Sequence, residues 1–263
     1  RVLNVPPPTK WINGELSFNQ LKTINIEDLL EREPIKLDAD LISEQVKGKV
    51  IMITGAAGSI GSELARQCMR FEPKKIFLVD QAESPLHELE LEFADKYKKE
   101  SFEVALADVR NAERMQKAFE IFKPNIVFHA AAYKHVPLME QNVIEAIDVN
   151  IFGTKNLVDL AIANLVEKFV MISTDKAVNP TNVMGATKRA AEIYVQDKSK
   201  DASIKTVFTT TRFGNVLGSN GSVVNYFSKQ IEAGGPLTIT HPDVTRYFMT
   251  IAEACQLVLE AAT

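Results

Sequence analysis

The sequence has no long apolar run. Nowhere in its 263 residues is there a stretch near the ~18 apolar positions that a membrane-spanning helix needs, and no secretory leader opens it. Cysteine is scarce. Cys68 and Cys255 lie far apart in helix-like stretches, which excludes a disulfide scaffold and fits buried thiols in a reducing compartment. His87, His129, His135 and His241 show no metal-ligand spacing, so no metal site is expected. A charge surplus is absent too: 30 basic against 34 acidic residues leave a formal charge of -4. Without a basic block there is no electrostatic case for nucleic acid. Repeats and low-complexity tracts are also missing.

What remains is ordinary globular composition, with 46% apolar and 24% charged residues, and enough length to bury a full core. That suits one large α/β domain with a small second lobe. Residues 1–48 stand apart. They carry Pro6 to Pro8 and then FNQLKTINIEDLLER, which suits a short amphipathic helix in a linker or docking segment. Arg1 in place of an initiating methionine reads as a fragment, so membrane segments in a longer parent stay open.

From Lys49 a rhythm sets in. The runs VIMIT, KIFLVD, FEVALAD, NIVFHAA, KFVMIS and TVFTTTRF alternate with helix-length amphipathic stretches. Apolar runs without alternation imply strands buried on both faces, hence a parallel sheet with helical crossovers. The expected fold is a doubly wound Rossmann sheet over 49–212, with a partial substrate-binding region over 213–263.

The first run leads into TGAAGSIG, where Gly55, Gly58 and Gly61 bracket Ser59 and Ile60 and a helix follows. Glycines there let the backbone approach a pyrophosphate at a helix N-terminus, where free N–H groups favour anions. A glycine motif alone is weak, but this one has the required strand and helix around it. The second run ends at Asp80, nineteen residues after Gly61. An acid there accepts hydrogen bonds from ribose hydroxyls and repels a 2′-phosphate, which favours NAD over NADP. A tight turn without a ligand is the alternative.

TGAAGSIG, ALADVRN, HAAAYKHVPLME, DVNIFGTKN and STDKAVNP, in that order, resemble the extended short-chain dehydrogenase/reductase family. More narrowly they are similar to the nucleotide-sugar 4,6-dehydratases of bacterial capsule and glycan biosynthesis. The resemblance covers roughly residues 40 to 262. It implies that Asp108 and Val109 lie beside the adenine of NAD. Ala130, Ala131 and Lys134 would follow the cofactor, with Asn150 behind it. It also implies that residues 1–48 join the domain to membrane helices, that the domain faces the cytoplasm, and that it forms a homo-oligomer. For each of these residues a plain structural role is the alternative.

Thr174, Asp175 and Lys176 follow the run KFVMIS, at the strand end that faces the ligand crevice in a parallel sheet. A helix then begins near Asn182, with Met184 and Lys188 four apart on one face. In typical relatives a tyrosine at the Met184 position removes the carbon 4 hydroxyl proton, and the lysine binds the nicotinamide ribose. Methionine cannot do proton chemistry, although some long, membrane-anchored dehydratases are similar in carrying it. Tyr194 and Lys198 repeat the tyrosine–lysine spacing but lie ~15 Å further along the helix, away from Thr174.

By position, Asp175 would be the acid that expels the carbon 6 hydroxyl and Lys176 the base that takes the carbon 5 proton. Thr174 would hold the carbon 4 oxygen. The acid must keep its proton, which desolvation favours, and the lysine must be brought down toward pKa ~7–8. The loss of the carbon 4 hydroxyl proton, through water or Asp175, is left open.

Further on, Asn215, the Gly221–Ser222 helix start and Arg246 offer donors for a sugar-nucleotide diphosphate. Lys134 is a second cation for that end. The resemblance also implies a short strand over Pro236 to Thr240 near a uracil, and further chain beyond Thr263. The expected activity is 4,6-dehydration of a UDP-N-acetylhexosamine, UDP-N-acetylglucosamine first, to a 4-keto-6-deoxy sugar. A UDP-sugar 4-epimerase and a non-catalytic NAD-binding domain are the alternatives.

Overall fold

The apolar runs become six parallel strands of one sheet. They are β1 (Val50–Thr54), β2 (Lys75–Asp80), β3 (Phe102–Leu106), β4 (Ile126–His129), β5 (Lys168–Thr174) and β6 (Val207–Phe213). Their spatial order is β3-β2-β1-β4-β5-β6, the doubly wound arrangement expected from the sequence. The computed structural model describes residues 39–263 except 220, 240, 242 and 244, together with 3–4, 22–23 and 30.

Side chains alternate between two cores, as strands covered on both faces require. Along β1, Ile51 and Ile53 enter one core while Met52 enters the other. The first core is closed by α1 (Ala39–Val46), α2 (Ser59–Met69), α3 (Glu83–Lys96) and α10 (Ile251–Glu260). They contribute Val46, Leu64, Phe93 and Val258. The second is closed by α4 (Ala112–Phe122), α7 (Thr154–Ala163) and α8 (Val183–Ser199), through Phe119, Leu157 and Val195. Each such side chain contributes ~1.5–3 kcal/mol by burial.

Helix α1 falls inside the stretch read as a linker, yet its Ile42 and Val46 are buried in the first core. Most of the amphipathic stretch 18–32 lies outside the described residues. Within it, Lys22–Thr23 pairs antiparallel with Leu3–Asn4.

Two short elements, α5 (Val136–Gln141) and α6 (Val143–Ile147), follow β4. A π-helical turn, Asp148–Gly153, separates α6 from α7 and breaks what would otherwise be one helix. Side chains account for the break. The Thr154 hydroxyl donates to the Asn150 carbonyl at 2.7 Å, and the Asn150 amide bonds both backbone groups of Tyr133.

After β6 comes the smaller lobe: β7 (Asn215–Val216), α9 (Val223–Glu232) and β8 (Phe248–Met249). Strands β7 and β8 pair parallel as a separate two-stranded sheet. Residues 236–239 form no strand, and Thr240 lies outside the described residues. Gln230 bonds Thr238 there, through both its amide oxygen and its amide nitrogen.

Candidate active site

Strand order reverses between β1 and β4, and at such a point the chains leaving the two strands diverge and open a crevice. A cleft of about 480 Å³ occupies it. Its wall is raised on one side because β5 outruns β4. The register pairs His129 with Met171, so Ile172, Ser173 and Thr174 continue past the end of β4.

The glycine turn forms the floor. Gly55 has φ +69°, and a side-chain carbon there would sit 2.5 Å from the Ala131 nitrogen. At Gly61 such a carbon would strike the Gly55 carbonyl. These two glycines are required by the fold itself. Gly58 differs, because the nearest protein atom to a carbon there is the Gly55 oxygen at 3.3 Å. It caps the N-terminus of α2 and borders the cleft with Ser59 and Ile60, leaving the space that a pyrophosphate would fill.

Asp80 ends β2 and accepts from the backbone N–H groups of Ala57 and Ala82, both at 2.9 Å. Its carboxylate thus steadies the glycine turn. Asp108 is more occupied than expected. Its oxygens accept from the Arg110 backbone N–H and the Arg110 guanidinium, and Arg110 also pairs with Glu145 at 2.7 Å. Burial raises the Asp108 pKa, but the Arg110 contacts outweigh it and hold the carboxyl below its usual range. This turn also ends β3 at Leu106, short of the expected Asp108. Val109 is buried against Gly153.

Asn150 is fully buried. Its amide nitrogen also donates to the Thr187 hydroxyl at 3.0 Å, and that hydroxyl donates to the Met184 carbonyl at 2.9 Å. His129, at the end of β4, is bonded on both ring nitrogens, to Thr54 at 2.8 Å and Thr154 at 2.9 Å. Because Thr154 donates its proton to Asn150, it accepts from Nε2–H, which fixes a neutral tautomer. Burial, and then the charge of Lys188, push the His129 pKa down to about 3.

Thr174 is the last residue of β5, and Asp175 and Lys176 form a single 3-10 turn. Lys176 Nζ donates to Asp175 Oδ1 at 2.9 Å and to Asn215 Oδ1 at 3.4 Å. The Thr174 hydroxyl donates to Asp175 Oδ1, also at 2.9 Å. The expected protonated Asp175 is not what this arrangement favours. Burial raises its pKa, yet the bonds from Lys176 and Thr174 prevail and hold the carboxyl below its ordinary range.

Across from this turn, Asn182 caps α8 by accepting from the Gly185 N–H at 2.8 Å. A side-chain carbon at Gly185 would strike the Lys176 carbonyl. Only glycine there lets α8 come so close to the turn. Met184 is buried in a small cluster with Met139 and Ala146, and still borders the cleft. Lys188 is 4% exposed, and burial pulls its pKa down to about 8 against the raising influence of Glu192.

The cleft therefore gathers Gly55, Gly58, Ser59, Ile60, Gly61, Ala130, Lys134, Thr174, Lys176, Met184, Lys188, Asn215, Ser222 and Arg246. Asp80, Asp108, Val109, Ala131, Asn150 and Asp175 do not line it. Burial lowers the Lys134 pKa. Ser222 caps α9 by accepting from the Asn225 N–H. Tyr194 is away from the cleft, bonded to Asp159 at 2.6 Å. Sequence reading missed His135, which packs against Gly221, and the buried Glu192. Glu192 could have been found from its position four residues after Lys188, on the same helix face. Among the described residues no cluster of histidine, cysteine or acid could hold a metal, and no helix is long and apolar enough to cross a membrane.

A family profile described as Polysaccharide biosynthesis protein matches residues 51–263. The chain is 54% identical to the capsular polysaccharide biosynthesis protein CapD of Staphylococcus aureus, over 95% of this chain and 42% of that protein. It is 37% identical to a UDP-N-acetylglucosamine 4,6-dehydratase (inverting) of Campylobacter jejuni, over 81% of this chain and 63% of that one. A UDP-glucose 4-epimerase of Rickettsia canadensis matches at 38%, over 81% of this chain and 62% of that one. Among solved structures, Pen from Bacillus thuringiensis superposes with a TM-score of 0.77 at 38% identity, covering 82% of this chain and 67% of that one. The chain thus spans about two fifths of the CapD protein's length.

Proposed function

The chain belongs to the polysaccharide biosynthesis protein family, and from that premise we propose that it carries out NAD-dependent 4,6-dehydration of a UDP-N-acetylhexosamine, with UDP-N-acetylglucosamine as first candidate. One observation carries the reading: Asp175 is bonded at 2.9 Å to Lys176, which lines the cleft together with Thr174 and Lys188. A 4-epimerase needs oxidation at carbon 4 and nothing more. An acid and a base at carbons 5 and 6 are required only where water is eliminated.

The residues fit the cofactor. The open space at Gly58, the helix start behind it and the Asp80 carboxylate suit NAD, and Asp80 disfavours a 2′-phosphate. NAD held there would supply the hydride acceptor for carbon 4 and the hydride donor for carbon 6. Lys188 would hold the nicotinamide ribose. Lys134, Asn215, Ser222 and Arg246 would hold the diphosphate.

Proton movement then falls to the β5 end. Ionised Asp175 takes the carbon 4 hydroxyl proton by way of Thr174, whose hydroxyl already donates to it. This removes the need for a tyrosine at Met184. Protonated Asp175 then gives the proton to the carbon 6 hydroxyl, which leaves as water. Lys176 releases a proton to solvent, takes the carbon 5 proton, and hands one back to carbon 5 at the end; its lost proton is then regained from solvent. The reading requires nucleotide metabolites, which places the domain in the cytoplasm, a compartment that suits the buried thiols of Cys68 and Cys255.

The test is incubation of the full-length protein with UDP-N-acetylglucosamine in deuterated water. Loss of water with one deuterium gained at carbon 5 is the expected result. An isomeric product instead would establish the epimerase, and absence of turnover would leave a binding domain.

A further inference from the structure

Glu192 is a carboxylate with no solvent exposure at all, and the proposed chemistry gives it no task. A buried charge is costly unless paired and hydrogen-bonded. Here it is paired on every side. Ser173 donates to Oε1 at 2.5 Å and Arg212 Nε donates to the same oxygen at 2.8 Å. A second Arg212 nitrogen and Arg189 Nη1, at 3.0 Å, serve Oε2. Burial raises its pKa, but the bonds from Arg212, Ser173 and Arg189 prevail and keep it ionised.

The position of this cluster matters more than its strength. Ser173 immediately precedes Thr174, on β5. Glu192 is one turn beyond Lys188 on α8, and its charge acts on that lysine. One side chain thus joins the strand end that bears Thr174 to the helix that bears Met184 and Lys188. We propose that Glu192 is the buried counter-charge of the reaction centre, a positioning residue that locks α8, with Lys188 one turn away from it, to the end of β5 through Ser173 and Arg212.

The groups that surround Lys188 bear this out. Lys134, His135, Lys176 and Arg246 share the cleft with it, His129 and Glu192 couple to its charge, and Arg212 and Arg189 are the cations held on Glu192 itself. Burial, and then the charge of Lys188, keep His129 neutral. Glu192 is therefore the anion whose influence on Lys188 opposes burial. Without it, a cation deep among other cations would hold its proton less firmly, and the donor that a cofactor ribose needs would be weakened.

The proposal rests on the dehydratase reading for its purpose, but its test does not need turnover. In protein with 13C-labelled lysine, the Lys188 Cε resonance, assigned through Lys188→Arg, is followed against pH. Glu192→Gln should move the midpoint down by roughly one pH unit. Glu192→Asp, which keeps the charge, should leave it within about half that shift. NAD affinity measured by calorimetry at pH 8 should fall several-fold in the Gln variant and recover at pH 6.5. Should the Gln variant not fold, Ser173→Ala and Arg212→Lys serve as partial disruptions, expected to lower the midpoint by a smaller amount. An unmoved midpoint in a folded Glu192→Gln protein would overturn the proposal, even if the dehydratase reaction itself were confirmed. A shifted midpoint without dehydration would sustain it and reject the dehydratase.

Discussion

The Lys176 ammonium and the Asp175 carboxylate meet at 2.9 Å, on the same oxygen that receives the Thr174 hydroxyl. Asp175 Oδ1 is therefore the point where protons from two donors converge. The second oxygen stands near Gly214, 3.5 Å from where a side chain on that residue would begin. A side-chain carbon at Gly214 would meet that oxygen in ordinary contact and would press instead on the Tyr247 carbonyl, at 3.0 Å.

Replacing Asp175 by Asn removes the acceptor charge with little change of shape. Turnover should fall by ~10²–10⁴, the usual contribution of a positioned acid or base. NAD affinity should stay within about two-fold. A parallel loss of NAD binding would mean that Asp175 organises the cleft and does not move protons. Lys176→Met should behave alike, and it should also abolish deuterium entry at carbon 5.

Gly185→Ala tests the approach of α8 to the Lys176 turn. The added carbon would meet the Lys176 carbonyl, so the helix must withdraw or the turn must shift. Overpacking of this kind costs ~1–3 kcal/mol. A fall of several degrees in Tm is expected, with a larger fall in kcat than in KM. A variant as stable and active as the parent would show that the turn yields freely.

Stability should depend on acid through His129. Its folded pKa, about 3, lies below the ordinary value of 6.5. The unfolded chain therefore binds the extra proton first, and stability drops as pH falls from 6.5 toward 3. Urea titrations between pH 6.5 and 4 should show this decline. A His129→Asn protein, though weaker overall, should show a shallower one. Equal slopes would assign the acid sensitivity to other groups.

Asp80→Ser should weaken the preference for NAD. Its carboxylate now holds the Ala57 and Ala82 N–H groups at 2.9 Å, so the glycine turn should loosen as well. NAD affinity is expected to fall about ten-fold and NADP affinity to rise. Calorimetry with both nucleotides checks this, and an unchanged ratio would place the ribose elsewhere.

Much of this was legible in the residues. Strands β1 and β2 fall where VIMIT and KIFLVD do, because a run buried on both faces has no alternation to misread. The cap at Asn182 and the helix start at Ser222 were visible for local reasons, since short polar side chains satisfy free N–H groups. The Asp108–Arg110–Glu145 cluster was not legible, because Glu145 reaches Arg110 from 35 residues away. Nor was the ionised state of Asp175. Sequence reasoning weighed burial alone, whereas the neighbouring lysine and threonine decide the balance.

The π-helical turn at Asp148–Gly153 has a consequence for angle. Each α-helical residue advances the azimuth by roughly 100°, and a π turn closes its ring with one residue more. The turn therefore resets the phase between α6 and α7. Asn150 faces the Tyr133 backbone and Thr187, while Leu157, Val158 and Ala161 still meet the second core. Deleting one residue between 148 and 153 would restore a regular helix and rotate these two faces out of alignment. The extra residue acts as a rotary joint, letting a single segment serve the cleft at one end and the core at the other.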